Sequence, residues 1–444
     1  MIKVIAVFDI GKTNKKFLLF DLEMKLVFSL ETEFDEISDE DGFPCDDIVK
    51  METWMNECLV HTIEQGNYQI EALNFSTYGA SLVYLDGTGK RIAPVYNYLK
   101  PMPSGVLDGF YEKYGGVEEF SRITASPTLG MLNSGMQILW LKEHKPDVYK
   151  KVKTILHLPQ YLSNLFTREI VSEYTSIGCH TAMWDFDNNQ YHQWLADEGI
   201  HLPNPVANST TFDVEIAGQR IKVGIGIHDS SASLVPYLKA SNEKFILIST
   251  GTWCIFMNPF NVEPLSIEQL RNDALCYLSI QQLQVKSSRL FFGHIHDTNV
   301  GRIASYFNVD ADFFKRVDVN QDMLNAMLEG NHHQLFFKEG IPECFIDYSV
   351  DLSIFKSVEE AYHKLMCDLV ELSMESLKLI IAENDQTETV YISGGFARNG
   401  IFVKLIEAHL PHKRVLTLEI DNSSALGAMM VLEGSVLFPL YFSG

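Results

Sequence analysis

The chain has 444 residues, 46% hydrophobic and 11% aromatic, which predicts two large domains with well-filled cores. With 58 acidic against 35 basic residues the formal net charge is −23, which excludes nucleic acid and anionic lipid as expected partners. No stretch approaches the roughly 18 uninterrupted apolar residues of a membrane span. The seven cysteines are scattered, without a C-x-x-C pair, and predict reduced thiols rather than a disulfide or zinc framework. Residues 1–10 show no signal-peptide pattern, so a cytoplasmic location is expected.

Residues 3–21 read strand–turn–strand, with the apolar run Val4-Ile5-Ala6-Val7-Phe8, the polar turn Asp9-Ile10-Gly11-Lys12-Thr13-Asn14, and Phe17-Leu18-Leu19-Phe20. A third strand is predicted over 26–32, and the acidic run over 33–41 reads as a solvated loop. A helix over 46–64 places Ile48, Met51, Trp54, Met55, Cys58 and Leu59 on one face. A strand over 70–76 leads into a hairpin turning at Asp86-Gly87. The segment 202–222, with Pro203, Pro205 and a small polar hairpin, has linker character. The second half repeats the grammar, with a strand–turn–strand over 244–257 around Ser249-Thr250-Gly251-Thr252. A helix over 358–383 carries a stripe of Leu365, Leu369, Leu372 and Leu379. A strand over 389–393 ends in Gly394-Gly395, and a helix, a strand over 414–419 and a final helix from Ser423 follow. Two copies of one pattern predict a duplicated α/β fold, divided into 1–240 and 241–444.

Four turns carry the chemistry. Asp9 ends an apolar strand, an awkward place for a carboxylate without a cation nearby. Gly11-Lys12-Thr13 is not a P-loop, because Ala6 stands where the first glycine belongs and a strand follows instead of a helix. Thr250-Gly251-Thr252 offers two hydroxyls around a glycine, a phosphate cradle or a plain turn. Gly226-Ile227-His228-Asp229 ends a short strand and opens a helix. Asp229 is there either a base for a hydroxyl proton or a simple helix cap. Gly394-Gly395, with Asn399, lets a flat group approach the backbone before a helix N-terminus, as an adenosine site requires. His294-Ile295-His296-Asp297 has the look of metal ligands but lacks a third ligand nearby, and His332-His333 reads as a solvated loop.

Taken in order, these motifs resemble the FGGY carbohydrate kinases of the actin and hexokinase superfamily. Ser76-Thr77-Tyr78-Gly79, Leu132-Asn133-Ser134 with Gln137, and Ser172-Glu173-Tyr174-Thr175 are most similar to the L-rhamnulose kinase branch. The resemblance implies two actin-like (ribonuclease H-like) α/β domains around a cleft, with sugar and base on 1–240 and nucleotide on 241–444. It implies ATP as co-substrate, Asp229 as general base and Asp9 as a holder of Mg²⁺. Gly11, Thr13 and Lys16 would lie on the phosphate path, with Thr250, Gly251 and Thr252 at the transferred phosphate. Gly394, Gly395 and Asn399 would flank the adenosine, and Thr77, Tyr78, Asn133 and His228 the sugar. Lys12 and Lys16 depart from the family's usual small residue and arginine. The expected partners are ATP and a small sugar, and a homodimer is left open. The competing expectation is an actin-like assembly or sugar-sensing protein without kinase activity. A sensing regulator should carry a helix-turn-helix, for which no room is seen before Lys3.

Overall fold

The structure, a computed structural model, describes residues 1–329 and 334–434. The pair His332-His333 lies outside the described residues. The first sheet contains Ile2–Ile10 (β1), Asn14–Asp21 (β2), Leu26–Glu33 (β3) and Tyr68–Thr77 (β4), joined by Thr211–Ile216 (β5), Gln219–Gly224 (β6) and Ile227–His228 (β7). Its order is β5–β6–β4–β1–β2–β3, with β7 beside β4. β1 is antiparallel to β2 and parallel to β4. The second sheet contains Phe245–Thr250 (β8), Cys254–Asn258 (β9), Ala274–Leu278 (β10), Gln284–Leu290 (β11), Thr389–Gly394 (β12) and Arg414–Thr417 (β13), in the order β10–β11–β9–β8–β12–β13. There too a central strand, β8, is antiparallel to the next strand and parallel to a later one. The expected duplication is visible in this shared path.

Central strands read as continuous apolar runs because both their faces are covered. In β1 the side chains alternate. Val4, Ala6 and Phe8 pack under Ile48–Glu64 (α1) and Leu158–Thr167 (α2), whereas Ile5 and Val7 face Asp229–Ala240 (α3). α1 starts at Asp47, whose side chain accepts the Lys50 N–H, and buries Met51, Met55 and Leu59 at four-residue spacing. On the second sheet, Phe292–Phe307 (α4), Val358–Lys378 (α5) and Gly400–His409 (α6) cover the face carrying Ile246 and Ile248.

α3 lies between the two sheets. Ala232 and Val235 pack toward the first sheet, while Leu234 and Tyr237 pack on Phe245 and Leu247 of the second. The final helix, Ser423–Met430 (α7), returns to the first sheet and crosses α3 closely. A Cβ on Gly427 would stand 1.9 Å from Ala232 O, so only glycine permits that crossing.

One expectation needs correction. The 202–222 segment is no linker, because its polar hairpin forms β5 and most of β6, an antiparallel pair that extends the first sheet at its edge. Its polarity comes from an edge hairpin covered on fewer sides. The acidic 33–41 run is exposed as expected, apart from half-buried Phe34 and buried Asp39. Asp39 is buried, with Lys100 Nζ 2.5 Å from Oδ2, and Glu36 lies 2.8 Å from Lys12 Nζ. Among the described residues no helix is long and apolar enough to cross a membrane.

Candidate active site

Asp9 lies near the end of β1, where the register sets it beside Lys16 of β2 and Ser76 of β4. On the other side of β4, β7 pairs Ile227 with Ser76 and His228 with Thr77. The chain then enters α3 at once, so Asp229 emerges one residue beyond the end of β7 and two beyond Ile227, which shares the row of Asp9 and Ser76. The extended backbone of His228 makes it the capping position, with Asp229 the first helical residue. Asp229 Oδ1 accepts the Ser230 N–H at 2.6 Å and lies 3.4 Å from His228 Nε2. Burial pushes its carboxyl up to about 6, against the opposing pull of Ser230, although 35% of the side chain faces solvent.

The Asp9 carboxyl is also raised, by burial first and further by the charge of Asp229. Ser424 Oγ donates to Asp9 Oδ2 at 2.8 Å, and Lys16 Nζ donates to Asn422 Oδ1 at 3.4 Å. Both partners come from the start of α7, so the end of the chain helps build the site at its beginning. Burial is the first cause of both shifts, and the charge of Lys16 opposes it at Asp9. Sequence reasoning missed Ser424 and Asn422, for which the sequence carries no signal beyond a helix start.

The rest of the first turn is more committed than its residue types suggested. Gly11 N–H donates to Asn14 O at 2.9 Å, and Thr13 is exposed. Lys12 Nζ lies 2.8 Å from carboxylate oxygens of both Glu36 and Asp46. Lys15 is buried, and its Nζ donates to the carbonyls of Lys12 and Thr13. Of these lysines, Lys16 is the one that faces Asp9.

The sugar candidates form the neighbouring wall. Thr77 Oγ1 donates to Tyr78 O at 2.9 Å, and Tyr78 OH donates to Asp46 at 2.6 Å. Asn133 accepts the Leu129 N–H at 2.8 Å and donates to His180 O at 2.9 Å. These polar groups already have protein partners, whereas His228 Nδ1 is buried without one. Gly79 lies against the His228 ring, and a Cβ there would come within 2.7 Å of Nε2.

In the second sheet, Thr250 of β8 pairs in register with Gly394 at the end of β12. Thr250 Oγ1 donates to Ser393 O at 2.5 Å and accepts the Phe396 N–H at 3.0 Å. Its hydroxyl therefore latches the Gly394-Gly395 turn. Gly394 has φ +80°, and a Cβ would fall 1.8 Å from Thr250 O, which makes glycine obligatory. Gly251 N–H donates to Trp253 O at 3.0 Å, and Thr252 O accepts the Gly293 N–H at 3.1 Å.

Gly395 and Asn399 line a cavity of about 500 Å³ together with His296, Asp297, Phe314 and Phe396. Asn399 caps α6 by accepting the Phe402 N–H at 3.0 Å, and its amide donates to Tyr362 OH at 2.7 Å. Tyr362 OH in turn lies 3.2 Å from His296 Nε2. The sequence drew attention to His296 and Asp297 only through their likeness to metal ligands. Their place is a pocket wall, with His296 Nδ1 2.8 Å from Asp297 Oδ1. Tyr362 was hidden in the leucine stripe of a long helix.

Two sheets that share a central path, with carboxylates at strand ends of the first and a glycine turn and pocket at the end of the second, make an actin-like α/β fold. A carbohydrate kinase from Novosphingobium aromaticivorans has this fold, with a TM-score of 0.78 at 22% identity over 97% of this chain and 94% of its own. The sequence pattern of the FGGY family of carbohydrate kinases, N-terminal domain, matches residues 4–232. The chain belongs to that family. It is 24% identical over 262 residues to a rhamnulokinase of Halalkalibacterium halodurans, covering 56% of this chain and 54% of that one. It is 26% identical over 260 residues to a xylulose kinase of Lactococcus lactis, covering 55% and 51%. The chain thus spans about half the length of the curated relatives it matches.

Proposed function

We propose that the protein transfers the γ-phosphoryl group of ATP to a hydroxyl of a small sugar in the cytoplasm. Residues 1–240 hold the sugar and the base, and 241–444 hold the nucleotide. The observation that carries this reading is the pair Asp9 and Asp229, raised together at the strand ends of the first sheet. A carboxyl titrating near 6 is mostly ionised at neutral pH, yet basic enough to accept a hydroxyl proton as the new O–P bond forms. Asp229 takes that role in this reading. Lys16, beside Asp9, adds charge on the phosphate path, and Gly395 and Asn399 flank the adenosine. Positioning and charge neutralisation then do most of the catalytic task.

The donor set at Asp9 suits Mg²⁺. Among the described residues no group of three or more His, Cys, Asp or Glu converges on a metal, and Mg²⁺ is usually held by one or two carboxylates plus water and substrate phosphates. Asp9 would hold it, and the ion would neutralise charge on the phosphates.

Relatives named rhamnulokinase and xylulose kinase favour a ketose, with L-rhamnulose or a related deoxyketohexose or pentulose first. The test is ADP formation from ATP and Mg²⁺ across a panel of ketoses and polyols. One preferred sugar should raise the turnover well above the sugar-free rate. A panel without any stimulation would instead favour a protein that binds without phosphorylating.

A further inference from the structure

The segment that delivers Asp229 is fastened by side chains. β7 has only two residues, so its pairing with β4 supplies little of the rigidity that a general base needs. Ser163 Oγ of α2 donates to Gly224 O at 2.7 Å, and Gln160 Nε2 of α2 donates to Ile225 O at 3.1 Å. The Gly226 N–H donates to Asn74 Oδ1 of β4 at 3.0 Å. Nearest to Asp229, the His228 N–H donates to Thr175 Oγ1 at 3.1 Å.

One carboxylate, from the motif Ser172-Glu173-Tyr174-Thr175, stands behind two of these fasteners. Glu173 is fully buried and caps the helix Tyr174–Ile177. Its Oε2 accepts the Thr175 N–H at 2.6 Å, Thr175 Oγ1 at 2.7 Å and Asn208 Nδ2 at 2.7 Å. Its Oε1 accepts the Ser176 N–H at 2.6 Å and Gln160 Nε2 at 3.4 Å. Every one of these partners is a donor, which fits the ionised form. Gln160 and Asn208 both turn their NH₂ groups to the carboxylate, and their Gln160 Oε1 and Asn208 Oδ1 are left buried without a partner. Burial raises the Glu173 carboxyl against the pull of those donors, so holding a charge there costs stability. A helix cap alone does not require that cost, since a neutral Ser or Asn caps as well. The Thr175 hydroxyl has one proton and gives it to Glu173, which leaves its lone pairs to the His228 N–H. A charged acceptor strengthens the first bond and, by polarising the hydroxyl, the second.

We infer, on the reading of Asp229 as the base, that Glu173 is a positioning residue that aims Asp229 through Thr175 Oγ1 and the backbone of His228.

The experiment measures kcat and KM for ATP and for L-rhamnulose, D-xylulose and D-arabinitol in the full chain, with the folding of each variant followed by urea unfolding. Thr175→Val keeps the branched shape and removes the hydroxyl, Thr175→Ser keeps the hydroxyl, and Glu173→Gln keeps the length and removes the charge. Thr175→Val should lower kcat about tenfold with the KM values changed less than about threefold. Thr175→Ser should recover most of kcat, and folded Glu173→Gln should fall at least as far as Thr175→Val. In the Asp229→Asn background, Thr175→Val should change kcat less than about twofold, because a residue that only aims the base has nothing left to aim. A residue with a structural role alone would lower stability and leave the kcat of the folded protein unchanged, or lower kcat equally in both backgrounds. Parent kcat in Thr175→Val or in Glu173→Gln, no recovery in Thr175→Ser, or an equal fall in both backgrounds would overturn the inference and leave the kinase reading standing. A parent inactive on all three acceptors would remove the kinase reading and the inference together.

Discussion

Replacing Asp229 by Asn should produce two opposite effects that a merely structural residue would not combine. In the unfolded chain this carboxyl titrates near 3.8, and in the folded protein burial holds it near 6. The folded state therefore binds the proton more tightly. The contribution to stability is fully present below about pH 4 and is lost as the pH rises through 6. At pH 7 the ionised carboxylate is a burden on the fold. Two pKa units correspond to about 3 kcal/mol, which solvent screening of a side chain 35% exposed reduces to about 1 kcal/mol. The neutral amide of Asp229→Asn removes the burden, so urea unfolding should find the variant about 1 kcal/mol more stable at pH 7. The difference should vanish below pH 4. Turnover of ATP with the preferred sugar should fall about 10²- to 10⁴-fold. In the parent, kcat/KM should drop about tenfold between pH 7 and pH 5 as the base protonates. A variant as active as the parent, or one destabilised equally at every pH, would refute the reasoning.

Gly394→Ala would drive a Cβ to 1.8 Å from Thr250 O at a backbone φ of +80°. It should cost about 2–3 kcal/mol in urea unfolding and weaken ATP binding more than sugar binding in parallel titrations. Lys12→Met tests whether the first turn uses its odd lysine for phosphate. Because Lys12 is held by Asp46 and Glu36, stability should fall by about 2 kcal/mol while ATP affinity changes less than about threefold. The reverse pattern would show that Lys12 leaves its carboxylates to meet the nucleotide.

Much of the fold was legible because the periodicity of buried strands and helices is a local property. The run Val4–Phe8 and the helix at 358 announced themselves by which residues must be buried. The helix in fact stops at Lys378, five residues before the expected end at 383. The polar turns were legible as well, since Asp9 and His228-Asp229 interrupt apolar strands where only a functional or capping role excuses them. What misled was polarity without context, since the linker-like 202–222 carries an edge hairpin whose partner strand lies far upstream. Asp39 alone is buried in the otherwise exposed acidic run, because Lys100, 61 residues away, neutralises it.

The sequence by itself determined that the chain is built twice on one α/β pattern and that carboxylates end strands of its first half. The tertiary structure alone decided that Asp9 feels the charge of Asp229 and that the last helix completes the surroundings of Asp9. Ser424 reaches Asp9 across 415 residues because α7 has an apolar face, and α3 leaves a groove narrow enough to require Gly427. An amphipathic pattern states that a face must be covered, but shape complementarity chooses the surface that covers it.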